Sequence, residues 1–168
     1  MKVKVRVTFK EYVRLLYGLT YRKPIMIFLL CVAGAMVMWI IGFYGNILPV
    51  PKPAYYQYLT LILIAVIQPL VIYNTIRRNY YSSNPLKEKL EIEFTDEEIK
   101  MQGDSFYMEL TWRKTYKVVE LKHWFLIYQN NLSAIIIPKK SFKVREVKEL
   151  KVLLQSIKGI DLHLMKEA

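Results

Sequence analysis

His123, His163, the single cysteine Cys31 and the acidic run Asp96-Glu97-Glu98 have the widest chemical repertoire in this chain. Catalysis or metal binding needs such groups to converge. Neither histidine has a second His, Cys or carboxylate at the spacing of a metal motif, and there is no GxSxG, HExxH or glycine-rich phosphate loop. In FTDEEI the three acids read as a solvated turn between strands. Cys31 has no second cysteine to pair with and sits in an apolar run. Leu29 and Leu30 precede it, where a lipoprotein signal carries small residues, so packing is its expected role. The sequence therefore predicts no catalytic residue, no metal, no cofactor and no enzyme activity.

A different chemistry is suggested by LSAIIIPKKSF, Leu132 to Phe142. Ile135 to Ile137 read as a buried last strand, and Pro138 ends its pairing because it has no amide to donate. Lys139 and Lys140 then stand just ahead of a periodic helical segment. Cations at a helix amino end are disfavoured by about 0.3 to 1 kcal/mol when exposed. An anion nearby, such as a lipid phosphate, would relieve that cost. Two readings stay open: solvated lysines that close a strand, or a headgroup contact.

The elements that position these lysines begin with two greasy stretches. The chain has 168 residues, 54% of them hydrophobic, with mean hydropathy +0.16. No Asp, Glu, Lys or Arg occurs from Pro24 to Pro51 or from Pro53 to Ile76. Each stretch exceeds the roughly 20 residues that cross a bilayer core as a helix. The first is also longer than the roughly 7–15-residue core of a signal peptide, and a second follows it, so a retained membrane hairpin is expected, with spans at about 24–44 and 58–76.

The net charge of +11 follows the same plan. Residues 1–23 hold seven Lys or Arg against one acid, the connector holds only Lys52, and Arg77 and Arg78 follow the second span. The positive-inside rule then places both termini in the cytoplasm. These charges read as topology signals and headgroup contacts, and no nucleic-acid partner is expected.

Around the hairpin, KVKVRVTF alternates Val3, Val5, Val7 and Phe9 against Lys2, Lys4, Arg6 and Thr8, a half-buried strand. Phe9 to Tyr17 then follows a helical period and stops at Gly18. It lies either on the inner leaflet or in the cytoplasmic core. Gly34 and Gly42 in the first span and Gln68 in the second are the expected interhelix contacts, with a kink at Pro69. From Leu90 onward six strands are expected, the last two joined by a tight turn at Asn130-Asn131. An amphipathic helix carrying Val147, Leu150, Leu154 and Ile157 on one stripe closes the chain.

The blocks EFTDEEIKMQGDSFYMELTW and VVELKHWFLIYQNNLSAIIIPKKSF, followed by that helix, resemble the YcxB-like protein family, and the resemblance extends over essentially the whole chain. Trp112 matches the family's tryptophan after the third strand. Pro138, Lys139, Lys140 and Phe142 match its Pro-Lys-basic-x-Phe signature. Lys143, Val144 and Arg145 depart from it, since the family opens its last helix with Ser or Asp and acidic neighbours. The resemblance implies a bacterial membrane protein whose cytoplasmic domain is a pleckstrin-homology-like sheet or roll capped by a helix, and it implies no activity.

The expected fold is thus a strand and amphipathic helix at 1–23, a two-helix membrane hairpin at 24–76 and a cytoplasmic α+β domain at 85–168, with Lys2 to Thr8 as the seventh strand of its sheet. The expected function is a membrane-anchored interaction module, in which Lys139, Lys140, Arg77 and Arg78 meet a protein partner or anionic headgroups. The alternative is an accessory subunit of a transporter or other membrane complex. Its expected partners are membrane lipids and a membrane protein or second copy.

Overall fold

A computed structural model of the protein describes residues 1–157 and 159–165. Two units form: residues 1–8 together with the chain from Tyr81 onward, and Phe9–Tyr80.

The first unit is built on two four-stranded sheets. β1 (Lys2–Val5), β2 (Leu90–Phe94), β3 (Glu98–Gln102) and β4 (Tyr107–Thr111) form the first, in that order and all antiparallel. β1 pairs with β2 in the register Val3↔Ile92, so the leading strand joins strands that follow it by more than eighty residues. Its alternation is the cause: Val3, Val5 and Val7 are buried while Lys2, Lys4 and Arg6 face solvent.

The second sheet contains β5 (Lys117–Glu120), β6 (Trp124–Tyr128), β7 (Ala134–Pro138) and β8 (Asp161–His163), in the order β7-β6-β5-β8. β8 is an eighth strand that the pattern of apolar residues does not announce, and it runs parallel to β5. The β6–β7 connection also differs from a tight turn with positive φ. Asn130 Oδ1 accepts the amides of Leu132 and Ser133, each at 2.8 Å, so the side chain closes a longer loop. Asn46 is the only non-glycine residue with positive φ among the described residues.

α5 (Val144–Ser156) packs on the sheets through Leu150 and Leu154, both fully buried. Its first turn keeps a cap despite the basic residues, because the Lys143 amide donates to Glu146 Oε2 at 2.7 Å. Phe142 sits where the two sheets meet, with its ring 6.2 Å from that of Phe94 in β2 and 6.0 Å from that of Phe125 in β6. Trp112 is buried after β4, and its indole donates to Thr95 O at 2.8 Å.

The second unit is helical. α1 (Phe9–Tyr21) runs through Gly18, one turn past the expected stop. α2 (Pro24–Tyr44) matches the expected first span, and α3 (Tyr55–Ser82) extends beyond the second at both ends. Both are long and apolar enough to cross a membrane, and only 6% of each apolar window is buried. α2 and α3 are antiparallel. At one end Tyr44 Oη meets Tyr58 Oη at 3.2 Å and the Trp39 indole donates to Pro51 O at 3.0 Å, while further along Met26 meets Gln68.

In place of a simple kink, α3 widens into a π-helical turn at Leu63–Ile67, just before Pro69. Pro69 has no amide and its ring crowds the preceding turn. Gln68 N instead reaches back to Leu63 O, which makes room for the ring. A short helix, α4 (Asn84–Lys87), leads into β2.

Candidate functional site

Pro138 and Lys139 turn inward, whereas Lys140 does not. The Lys139 ammonium lies 2.6 Å from Glu120 Oε1, and Lys151 of α5 reaches the same oxygen at 3.0 Å. Glu120 Oε2 accepts the Met165 amide at 2.8 Å, which ties the segment after β8 to β5. The Glu120 side chain is 1% exposed, against 19% for Lys139 and 16% for Lys151. Burial raises the pKa of this carboxyl, but the hydrogen bonds from Lys139, Lys151 and the Met165 amide outweigh it and hold the group below the ordinary carboxylate range. Lys139 also lies 5.1 Å from the centre of the Phe125 ring. Its charge is thus used inside the fold, a role that neither the headgroup-contact nor the solvated-lysine reading of the sequence included.

The other expected residues divide between the units. Lys140 is exposed in the sheet unit, and Arg77 and Arg78 are exposed on α3. Gln68 Nε2 lies 2.7 Å from Met26 Sδ, and Tyr17 Oη donates to the carbonyl of Pro69 at 2.7 Å. Gly42 is closely packed, but against the connector: a Cβ there would stand 2.8 Å from Leu48 Cδ1. Around Gly34 a Cβ would meet nothing within 4 Å among the described residues, so no close approach uses that position within the protomer. His163 Nε2 lies 3.2 Å from Asp161 Oδ2 at the exposed β8 edge.

A cleft at one end of the first sheet was not foreseen from the sequence. Lys4, Val5 and Arg6, then Lys89, Leu90 and Glu91, then Gln102, Gly103 and Asp104 line a space of about 640 Å³. That size lies within the ~300–1,000 Å³ of small-ligand pockets. The turn that floors it is held by Glu88, which accepts the Ser105 amide at 2.9 Å and the Ser105 hydroxyl. These bonds, the hydroxyl's first, keep the Glu88 carboxyl below its usual pKa. A Cβ at Gly103 would come within 2.7 Å of Glu88 Oε2 and 2.8 Å of Leu90 Cδ2, so the ends of those two side chains would have to shift to admit it. The available signal was the Lys2-Lys4-Arg6 face of the first strand, but its neighbours become visible only once the register is known.

Comparison with known proteins adds one finding. No curated protein and no solved structure matches the chain. The matched region runs from the end of β2 into α5, so it takes in Trp112, Glu120 and the Pro138–Phe142 signature and is narrower than the whole-chain resemblance. With that extent, residues 94–153 are a match to the YcxB-like protein family.

Proposed function

We propose that this protein is a membrane-anchored interaction module. α2 and α3 cross the bilayer as a hairpin, and the two-sheet unit works on the cytoplasmic side. One observation carries the reading. β1 precedes the hairpin and β2 follows it, yet they are hydrogen-bonded neighbours, so the chain must cross the bilayer an even number of times between them. Two apolar helices meet that requirement, and the Lys and Arg residues before α2 and at Arg77 and Arg78 favour the cytoplasm for both ends. Four strands, then three, then a helix support a pleckstrin-homology-like reading of the sheet unit.

The bound surface on this reading is anionic, and the exposed cations Lys4, Arg6, Lys89 and Lys140 meet it in the sheet unit, with Arg77 and Arg78 beside the bilayer. The test uses single cysteines in a chain lacking Cys31. Lys52→Cys should react with a membrane-impermeant maleimide added to intact cells, and Lys122→Cys should react only after lysis. Labelling of both from outside, or loss of the chain from carbonate-washed membranes, overturns the reading.

The alternative role, an accessory subunit of a membrane complex, is favoured by the π-helical turn and the Gln68–Met26 contact in a largely unburied helix pair. Under that role Gln68→Leu abolishes co-purification of a membrane partner. Under the module reading it leaves ligand binding intact.

A further inference from the structure

The exposed face of the first sheet treats its charges in two ways. Register aligns Lys2, Glu93, Lys100 and Glu109 in one row across all four strands, alternating in sign. That row is linked: Lys2 lies 3.4 Å from Glu93, and Lys100 lies 3.6 Å from Glu109 and 3.0 Å from Glu98. The next charged row runs Lys4, Glu91, Gln102 and Tyr107, with one cation and one acid that form no ion pair among the described residues. Past the last paired residues, Val5 and Leu90, each strand offers another cation, Arg6 on one and Lys89 on the other. Like charges in facing positions destabilise a sheet. Glu88 is the nearest acid in sequence to Lys89, and the Ser105 turn already occupies it.

We propose that this cleft binds a phosphate group carried on a polyhydroxylated moiety, such as a glycerol phosphate. Arg6 offers a planar fork that matches two phosphate oxygens, and Lys89 and Lys4 supply point charges beside it. Glu91, Asp104 and the Gln102 amide line the same space and suit hydroxyl groups, as acceptors and, for the amide, also as donor. The two acids also make the cleft a poor host for a bare polyanion. The Glu88–Ser105 bonds hold the turn that carries Gly103 and Asp104 beside the cleft.

Such a group can come from a phospholipid headgroup or from a soluble polyol phosphate. The lipid source rests on the membrane-module reading, whereas the soluble source does not. The test uses the full chain in neutral detergent. sn-Glycerol 3-phosphate is titrated by calorimetry, and retention of phosphatidylglycerol against phosphatidylcholine is read by native mass spectrometry. Arg6→Gln/Lys89→Gln should weaken glycerol 3-phosphate binding at least tenfold, or erase the excess of phosphatidylglycerol over phosphatidylcholine. Lys2→Gln, in the compensated row, should change neither.

Binding of the soluble phosphate identifies that source, and selective retention of the lipid alone identifies the other. If wild type binds neither probe, or the double variant matches wild type in both, the site is overturned. Carbonate extraction is scored separately. A chain that stays in washed membranes but fails both binding arms sinks the cleft and leaves the anchor standing, whereas a chain that washes off sinks the anchor and leaves the calorimetric arm decisive.

Discussion

Two groups of basic residues in the sheet unit meet opposite fates. Around Glu120, Lys139 and Lys151 are drawn onto one buried carboxylate oxygen, and their charge holds α5 and the end of β7 together. Around the cleft, Lys4, Arg6 and Lys89 stand exposed and form no ion pair among the described residues, although Glu91 and Asp104 line the same space. The contiguous pair Lys139-Lys140 is the more conspicuous in sequence, yet half of it is structural. The dispersed trio is assembled only by strand pairing. A run of lysines is therefore a poor guide to where an anion binds, and a row of side chains across strands is a better one.

Substitution at the buried centre separates the two groups most sharply. Glu120→Gln leaves two shielded ammoniums without a counter-charge, and breaking such a pair costs about 3–5 kcal/mol. The variant should unfold well below wild type in thermal melts followed by near-UV circular dichroism. A variant as stable as wild type would mean that the centre contributes nothing to the fold.

Acidification gives a second handle on the same residue. The Glu120 carboxyl is held below its unfolded value, so its contribution is complete above the ordinary carboxylate range. It is lost as pH falls through the depressed folded value. The gap in stability between wild type and Glu120→Gln should narrow steadily across that acid window in a pH series of melts. A gap that widens on acidification would reverse the assigned direction.

Next in size is Gly103→Ala. The added methyl meets the ends of the Glu88 and Leu90 side chains beside the cleft, which can shift, so the cost should fall at the low end of overpacking, about 1 kcal/mol. Denaturation midpoints measure it. The smallest effect belongs to the cleft cations themselves. Arg6→Gln/Lys89→Gln removes two facing like charges, so stability should stay within about 0.5 kcal/mol of wild type or rise slightly. A large loss there would place these residues with Lys139, as parts of the fold.

Much of the architecture was legible because it depends on local periodicity. The valine–lysine alternation of the first strand, the charge-free stretches of α2 and α3, six of the strands and the Leu150–Leu154 stripe are all readable within a few residues of sequence. What escaped depends on distant partners. Glu120 lies 19 residues before Lys139 and 45 before Met165, so neither the inward turn of Lys139 nor the existence of β8 has a local signature. β8 is three residues long, and edge pairing with β5 together with the Met165 amide bond defines it. In α3, Pro69 announced a disturbance, but its form as a π-helical turn follows from how the backbone finds new acceptors. The cleft was missed because three separate segments line it.

The pairing of β1 with β2 also bears on the order of assembly. Phe94 exchanges hydrogen bonds with Met1, 93 positions away, at 2.7 and 2.8 Å. During synthesis, the first strand emerges long before its neighbour exists, and it must wait with an open edge while both long helices are made. Closing so large a loop is entropically slow compared with zipping the β2–β3–β4 meander. The amino-terminal strand is therefore the latecomer of its sheet, and until it docks, β2 offers its own unpaired edge to any extended chain nearby.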